Sequence, residues 1–357
     1  MMPEFVFVDK TLGYALKQKR IDLNMFGYLK RKMSLISNLI FDISFDFAVG
    51  LKGFNDHDLS NIRLCIGQDV GMVKAAYELG VKKIKLSVNH AGCDKILLPL
   101  SAALTEAQKL NMEISVGCLN VSEYSETEID FFQKLTENFR LHSVVLHDRS
   151  SNLDPIDTYE RLLELKPRLA GNLEYGGKNL LGLATGNALG AIKSGIYTIS
   201  TSIGGIGEFP AFEEVVMSSS YLLKIPVAVP RDIAVVCKEI LEGMGLDIPK
   251  TKPIIGANIF SHESGIHVDG VMKRSDLYEP FTPEEVGLFR KIVIGKHSGK
   301  AAIEQKVKEL DISLKPACVV HLLAKVRTLA IKQKAAVIDE QLKELVKEMA
   351  VCESACC

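Results

Sequence analysis

Short apolar runs recur along the first two-thirds of the chain, with longer amphipathic stretches between them. The runs are Phe5–Asp9, Leu39–Phe45, Ile62–Ile66, Ile84–Val88, Glu113–Cys118, Ser143–Leu146, Gly171–Tyr175 and Tyr197–Thr201. Most are near-continuous in Val, Ile and Leu, as strands buried on both faces of a parallel sheet are. Between them, Val70–Leu79 and Thr127–Phe139 space apolar residues three and four apart, the pattern of a helix with one buried face. Eight strand–helix units within about 220 residues predict a (β/α)8 TIM barrel. A doubly wound sheet is the alternative. It needs a phosphate-binding glycine fingerprint at its first turn, and Asp9-Lys10-Thr11-Leu12-Gly13 is not one.

The pattern breaks at Pro226 and Pro230, which places the end of the barrel near residue 228. A smaller, mostly helical C-terminal region, 229–350, follows. It begins with a helix over Arg231–Met244 and a polar linker at Lys250-Thr251-Lys252-Pro253. A loop-rich stretch from Phe260 to Ser298 comes next, then helices over Cys318–Ile331 and Ile338–Met349. The apolar stripes of those two helices are wide for a small subdomain and predict packing against another chain. Residues 351–357 form a Cys-rich tail, expected to be mobile.

Composition narrows the classes. The 357 residues carry a formal net charge of −1, so no basic excess points to nucleic acid. No run approaches the ~18 apolar residues of a membrane span, and the apolar stretch at the N-terminus is too short for a signal peptide. A cytoplasmic protein with no membrane partner is expected. Cysteines 65, 93, 118, 237 and 318 stand singly among apolar residues, as free thiols in a reducing compartment do. Cys352, Cys356 and Cys357 lack a second ligand pair at metal spacing.

Barrel active sites lie at the C-terminal ends of the strands. After the sixth run stands His147-Asp148-Arg149; after the seventh, Glu174-Tyr175-Gly176-Gly177-Lys178; after the eighth, Gly204-Gly205-Ile206-Gly207-Glu208. Asp148 and Glu174 are isolated candidates for a metal, which needs clustered oxygen or imidazole ligands. Lys178 would repel a cation and is expected to neutralise Glu174 as a structural ion pair. Gly205 and Gly207, with Glu208, form a candidate cofactor-binding turn whose backbone N–H groups approach a phosphate; a tight turn is the plain alternative. The second region is denser. Phe260-Ser-His-Glu-Ser-Gly-Ile-His-Val-Asp-Gly270 holds two histidines and two acids. His267 beside Asp269 suits an imidazole oriented for general base work. Tyr278 offers a phenol to a developing oxyanion.

The stretch from Pro253 to Lys306 resembles the homocitrate synthase and isopropylmalate synthase family. The matching words are Phe260–Gly270, Tyr278-Glu-Pro-Phe281 and Ile294-Gly-Lys-His-Ser-Gly299, most like the homocitrate synthases of nitrogen fixation. Leu153-Asp-Pro155, Tyr159-Glu-Arg161 and Leu181–Thr185 with Asn187 extend the resemblance through the barrel. The departures are concentrated. The family opens with Asp-x-Thr-Leu-Arg-Asp-Gly-Glu-Gln; here the Arg is Gly13, the metal-binding Asp is Tyr14 and the Glu is Leu16. The His-x-His metal ligands are Gly176 and Lys178, a late Asn is Phe212, and the oxo-acid-binding Thr is Arg149.

In that family the C-terminal region of one chain reaches over the barrel of the other and supplies a His and a Tyr, which match His267 and Tyr278. Glu174 matches a barrel Glu implicated in proton transfer. The resemblance therefore implies one chain of a split homocitrate synthase, the kind called the omega subunit. This chain would bind no metal, and a second chain with an intact barrel would hold the divalent metal. Together they would join acetyl-CoA to 2-oxoglutarate, and alone this chain would be inactive. Two other readings stay open: a pseudoenzyme that binds and regulates a synthase or an acyl-CoA, and a metal-free enzyme using Lys178 or Arg149 in the metal's place.

Overall fold

The structure is a computed structural model that describes residues 5–35, 37–88, 94–169, 171–263, 270, 274 and 277–354. The chain divides into two compact units: Met1–Ile248 with Pro253–Ile255, and Pro249–Lys252 with Gly256–Cys357. The first is a closed barrel of eight parallel strands in sequence order: β1 (Val6–Asp9), β2 (Leu39–Ser44), β3 (Ile62–Ile66), β4 (Lys83–Ser87), β5 (Glu113–Asn120), β6 (Ser143–Asp148), β7 (Asn172–Gly177) and β8 (Thr198–Thr201). β1 closes on β8 with Val6 opposite Thr198 and Asp9 opposite Thr201. The TIM barrel read from the apolar runs is present, strand by strand.

Capping residues start the helices between strands. Asp69 accepts the Met72 N–H at 2.8 Å, and Ser125 with Glu128 forms a reciprocal capping box. Asp154 caps Pro155–Leu165, with Pro155 in the first turn, where its missing N–H costs nothing. The barrel words shared with the family serve this packing. Asn187 Nδ2 donates to the Leu153 carbonyl at 2.8 Å, and a side chain at Gly190 would meet the Pro155 carbonyl oxygen at 2.5 Å.

The strands are not buried in apolar material on both sides. Phe41 on β2 lies under the Lys30 ammonium of helix Leu23–Ser34, and Phe7 on β1 meets Phe212 edge-on at 5.0 Å, so these residues face the helices. The alternate positions are polar: Asp42, Arg63, Lys85, Ser115, Ser143, Glu174 and Ser200. The period of two puts them on the other face, inside the barrel.

The barrel unit also ends later than residue 228. Helix Ile233–Gly243 buries Ile233, Ala234, Cys237, Ile240 and Leu241, and Leu241 fills the space a side chain at Gly204 would need, at 2.9 Å. The two prolines precede this helix without ending the unit.

The second unit has two short parallel strands, β9 (Ser261–His262) and β10 (Lys291–Ile292), and helices Lys300–Glu309, Cys318–Gln333 and Asp339–Ser354. Ile294, Ile303, Leu322, Val326 and Leu342 form a core of its own. The stripes expected to seek another chain are therefore spent largely on each other, although Val320, Ile331 and Ile338 remain exposed. Residues 351–354 continue the last helix, where a mobile tail was expected; 355–357 lie outside the described residues. Among the described residues no helix is long and apolar enough to cross a membrane.

Candidate functional site

A chain of ion pairs crosses the barrel interior. Arg63 on β3 grips Glu174 on β7, the strand facing it across the lumen, through Nη1 at 2.7 Å and Nη2 at 3.0 Å. Its Nε donates to Asp42 Oδ1 at 2.6 Å, and Nη1 also reaches Ser115 Oγ at 3.1 Å. Ser200 donates to Glu174 at 2.8 Å. Lys10 and Lys85 both donate to Asp42 Oδ2. Arg63 and Glu174 are essentially fully buried. Burial works against ionisation of Glu174, but Arg63 and then Lys10 overcome it and hold the carboxyl down to about 2. The same contest, won by Arg63, Lys10 and Lys85, holds Asp42 well below the usual carboxylate range. Burial pushes Lys10 down, against the pull of Asp42 and with the repulsion of Lys85.

Above this network a cavity of about 740 Å³ opens at the C-terminal ends of the strands. Lys10, Asp42, Cys65 and Lys85 line its floor with His147 and Gly176; Tyr14, Lys17, Arg149, Lys178 and Glu208 stand higher. Burial and the neighbouring Lys85 and Lys10 ammoniums push His147 down to about 3, so the imidazole is neutral.

Several expectations need correcting here. Lys178 does not pair with Glu174. Glu174 points into the lumen toward Arg63, whereas Lys178 follows the end of β7, where its Nζ donates to the Gly207 carbonyl at 2.7 Å. It also sits 4.2 Å from the centre of the Phe209 ring and 3.9 Å from Glu208. Asp148 and Glu174 do not converge, and neither lines the cavity. The turn after β8 spends two of its N–H groups inside the fold. The Gly204 N–H donates to Glu213 and the Gly205 N–H to the Ser202 carbonyl, while the Gly207 carbonyl turns to Lys178. Gly204, Gly205 and Gly207 have φ between 68° and 74°, the backbone of a tight turn, and Glu208 adds a carboxylate that repels anions.

The residues at the barrel mouth do not fit the family's divalent metal. Tyr14 lays its ring on Gly207, 2.7 Å from where a side chain there would begin. Phe212 is buried against Phe7. A side chain at Gly13, where the family has Arg, would collide with the Asp42 carbonyl oxygen. One at Gly176 would meet His147 Nδ1 at 3.0 Å. Among the described residues no three His, Cys, Asp or Glu side chains gather as a metal site.

In the second unit the family words are brought together. β9 pairs with β10, aligning Ser261 with Lys291 and His262 with Ile292. Glu263 accepts the His297 N–H at 3.1 Å, and Arg327 holds the Ser298 carbonyl at 2.6 Å. Glu279, beside Tyr278, is buried and bound by Arg290 at 2.7 Å, with His262 Nε2 at 3.6 Å. The Tyr278 ring lies against Gly270, and the residue is 43% exposed. His267 and Asp269 lie outside the described residues. Phe260 and Phe281 close this group edge-on at 5.6 Å.

Comparison with known proteins agrees with this division. Residues 71–219 match the HMGL-like family, and residues 254–334 match the family described as homocitrate synthase post-HMGL domain-like. The chain is 32% identical over 296 residues to the 2-isopropylmalate synthase 2 of Caldanaerobacter subterraneus, covering 78% of this chain and 76% of that protein. It is 31% identical over 324 residues to the homocitrate synthase 1 of a Nostoc species, covering 89% and 84%. Among solved structures, the HMG-CoA lyase of Brucella melitensis matches with a TM-score of 0.55 at 14% identity, over 68% of this chain and 98% of that one. At that identity the match speaks for the barrel alone. The two synthases share most of their length with this chain, and it belongs to the homocitrate synthase and isopropylmalate synthase family of acyltransferases.

Proposed function

We propose that this chain is the non-metal-binding subunit of a two-chain homocitrate synthase, working in the cytoplasm beside a second chain with an intact metal-binding barrel. The observation that carries this is the barrel mouth. Tyr14, Gly176 and Lys178 line it where the resemblance puts metal ligands, Phe212 at a fourth such position packs away against Phe7, and the packing at Gly13 leaves no room for the family's Arg. The C-terminal words, in contrast, keep both catalytic types.

The reaction is the addition of the acetyl-CoA methyl carbon to the carbonyl of 2-oxoglutarate, the oxyanion taking up a proton, followed by hydrolysis of the thioester by water, which releases CoA and homocitrate. His267 would take the methyl proton as general base. Tyr278, held against Gly270 three residues beyond His267, would donate its phenol proton's hydrogen bond to the oxyanion that develops. Glu174 is left out of this set: both its oxygens are bound in this chain's own barrel, and its carboxyl stays ionised.

The test is reconstitution with the partner chain, following homocitrate from acetyl-CoA and 2-oxoglutarate. Each chain alone should be inactive or nearly so, and the mixture active. A mixture no faster than the partner alone would favour a regulator with no part in the chemistry. Turnover by this chain alone in the presence of a chelator would favour metal-free catalysis.

A further inference from the structure

The charges inside the first unit do not balance. In the buried network three cations, Lys10, Arg63 and Lys85, face two carboxylates, Asp42 and Glu174. At the rim of the cavity, Lys17, Arg149 and Lys178 face Glu208. Three cations more than carboxylates thus converge on one space, counted over the described residues. Lys178 is pushed below its usual range by burial, with Arg149 and Lys17 adding repulsion against the pull of Glu208. Holding like charges together is unfavourable unless something of opposite sign joins them. Asp42 already serves three donors, and among the described residues no ion pair takes up Arg149 or Lys17.

The cavity has room for a partner. Its volume of about 740 Å³ falls within the few hundred to a thousand Å³ typical of metabolite pockets. Its floor is polar and its His147 neutral, so no second positive charge is lost or gained there near neutral pH. The Arg149 guanidinium presents a flat fork suited to two oxygens of one carboxylate or phosphate, and Lys178, after the end of the neighbouring strand β7, a point charge.

We infer that the mouth of this barrel is a metal-independent binding site for a small polyanion, a molecule carrying two or more carboxylate or phosphate groups. The site belongs to this chain alone and stands or falls independently of catalysis in trans. Such a ligand would neutralise the excess charge on Lys10, Lys85, Arg149 and Lys178, and would stabilise the barrel by binding only the folded state.

The experiment is calorimetric titration of the purified full chain in excess EDTA, with citrate in one arm and inorganic pyrophosphate in the other. Saturable one-to-one binding in at least one arm is expected, and the stronger arm tells carboxylate from phosphate chemistry. The Arg149→Ala and Lys178→Ala variants should each weaken binding about tenfold or more, the usual effect of losing one charge-assisted hydrogen bond. Lys74→Ala, on the outer helix and paired with Glu106 at 3.6 Å, should bind as wild type does. The wild-type melting temperature should rise with ligand, a readout that does not depend on any variant folding. Absence of saturable binding in both arms overturns the inference. So does binding that survives in the Arg149→Ala, Lys178→Ala double variant, since it would lie elsewhere.

Discussion

The barrel interior and the C-terminal unit spend their polar side chains in opposite ways. In the barrel, Arg63, Asp42, Lys85 and Glu174 bind one another across the lumen, and the mouth above them carries Lys17, Arg149, Lys178 and Glu208 with aromatic rings. In the C-terminal unit, ion pairs such as Arg290 with the buried Glu279 hold the loops, and Tyr278 stays partly exposed. One region has turned its charges into architecture, while the other leaves a phenol-bearing side chain, Tyr278, partly exposed. The lesson is that a family's fold and the residues at its site can part company within one chain, because different side chains carry them.

The comparison breaks most sharply at Glu174. Replacing it with Ala leaves the Arg63 guanidinium buried without its two-pronged partner, a change that typically costs about 3–5 kcal/mol. Denaturant unfolding of Glu174→Ala should show that loss. A variant as stable as wild type would mean the ion pair is not what holds the lumen together.

Gly13→Ala comes next. Gly13 lies inside helix Thr11–Lys17, where propensity alone says that Ala stabilises by about 1 kcal/mol. The collision with the Asp42 carbonyl reverses the sign, and overpacking of this kind costs about 1–3 kcal/mol. Gly13→Arg should fare worse and should not create a metal site. A stabilised Gly13→Ala protein would show that this helix can move off β2.

Acid should loosen the barrel through the same network. Glu174 sits at about 2 in the folded chain against an ordinary 4.5, and Asp42 is lowered as well. A depressed carboxyl gives stability that is complete above its unfolded value and is lost as pH falls through the folded one. Stability should therefore decline from about pH 4.5 toward 2. Asp9 acts in the other direction: burial raises it to about 6 from 3.8, so its contribution weakens as pH rises between those values. Unfolding midpoints measured from pH 7 to 3 check this, and a profile flat below pH 4.5 would contradict it. The decline should be shallower in Glu174→Gln.

The smallest effect is expected at Lys178. Lys178→Met removes a hydrogen bond to Gly207 and a contact with the Phe209 ring at a partly exposed rim, about 1 kcal/mol of stability. A loss several times larger would place Lys178 among the structural charges.

Much of this was legible in the sequence. The eight strands fall within a few residues of the apolar runs, because β-branched residues facing the helices repeat every second position. The charged network was legible too, but easily passed over. Asp42 in Leu39–Ser44 and Arg63 in Ile62–Ile66 are single charges inside apolar strands, Lys85 lies between Ile84 and Leu86 in Lys83–Ser87, and in a barrel such positions face inward. What single residues do not reveal is pairing. Lys178 stands only four residues beyond Glu174, whereas Arg63 is 111 residues away and reaches it only across the closed barrel. The end of the first unit is hidden from local sequence for a similar reason. Pro226 and Pro230 mark a local break, but helix Ile233–Gly243 returns to the turn after β8, a contact no local pattern encodes.

The central claim is that the C-terminal unit acts on chemistry housed in another chain. The most direct measurement is the turnover of the reconstituted two-chain enzyme with His267→Ala in place of wild type, with the partner in excess and assembly checked by sedimentation. Loss of a general base typically lowers the rate about 10²–10⁴-fold, and that loss with assembly intact is the predicted result. Full turnover by the His267→Ala complex would contradict the account.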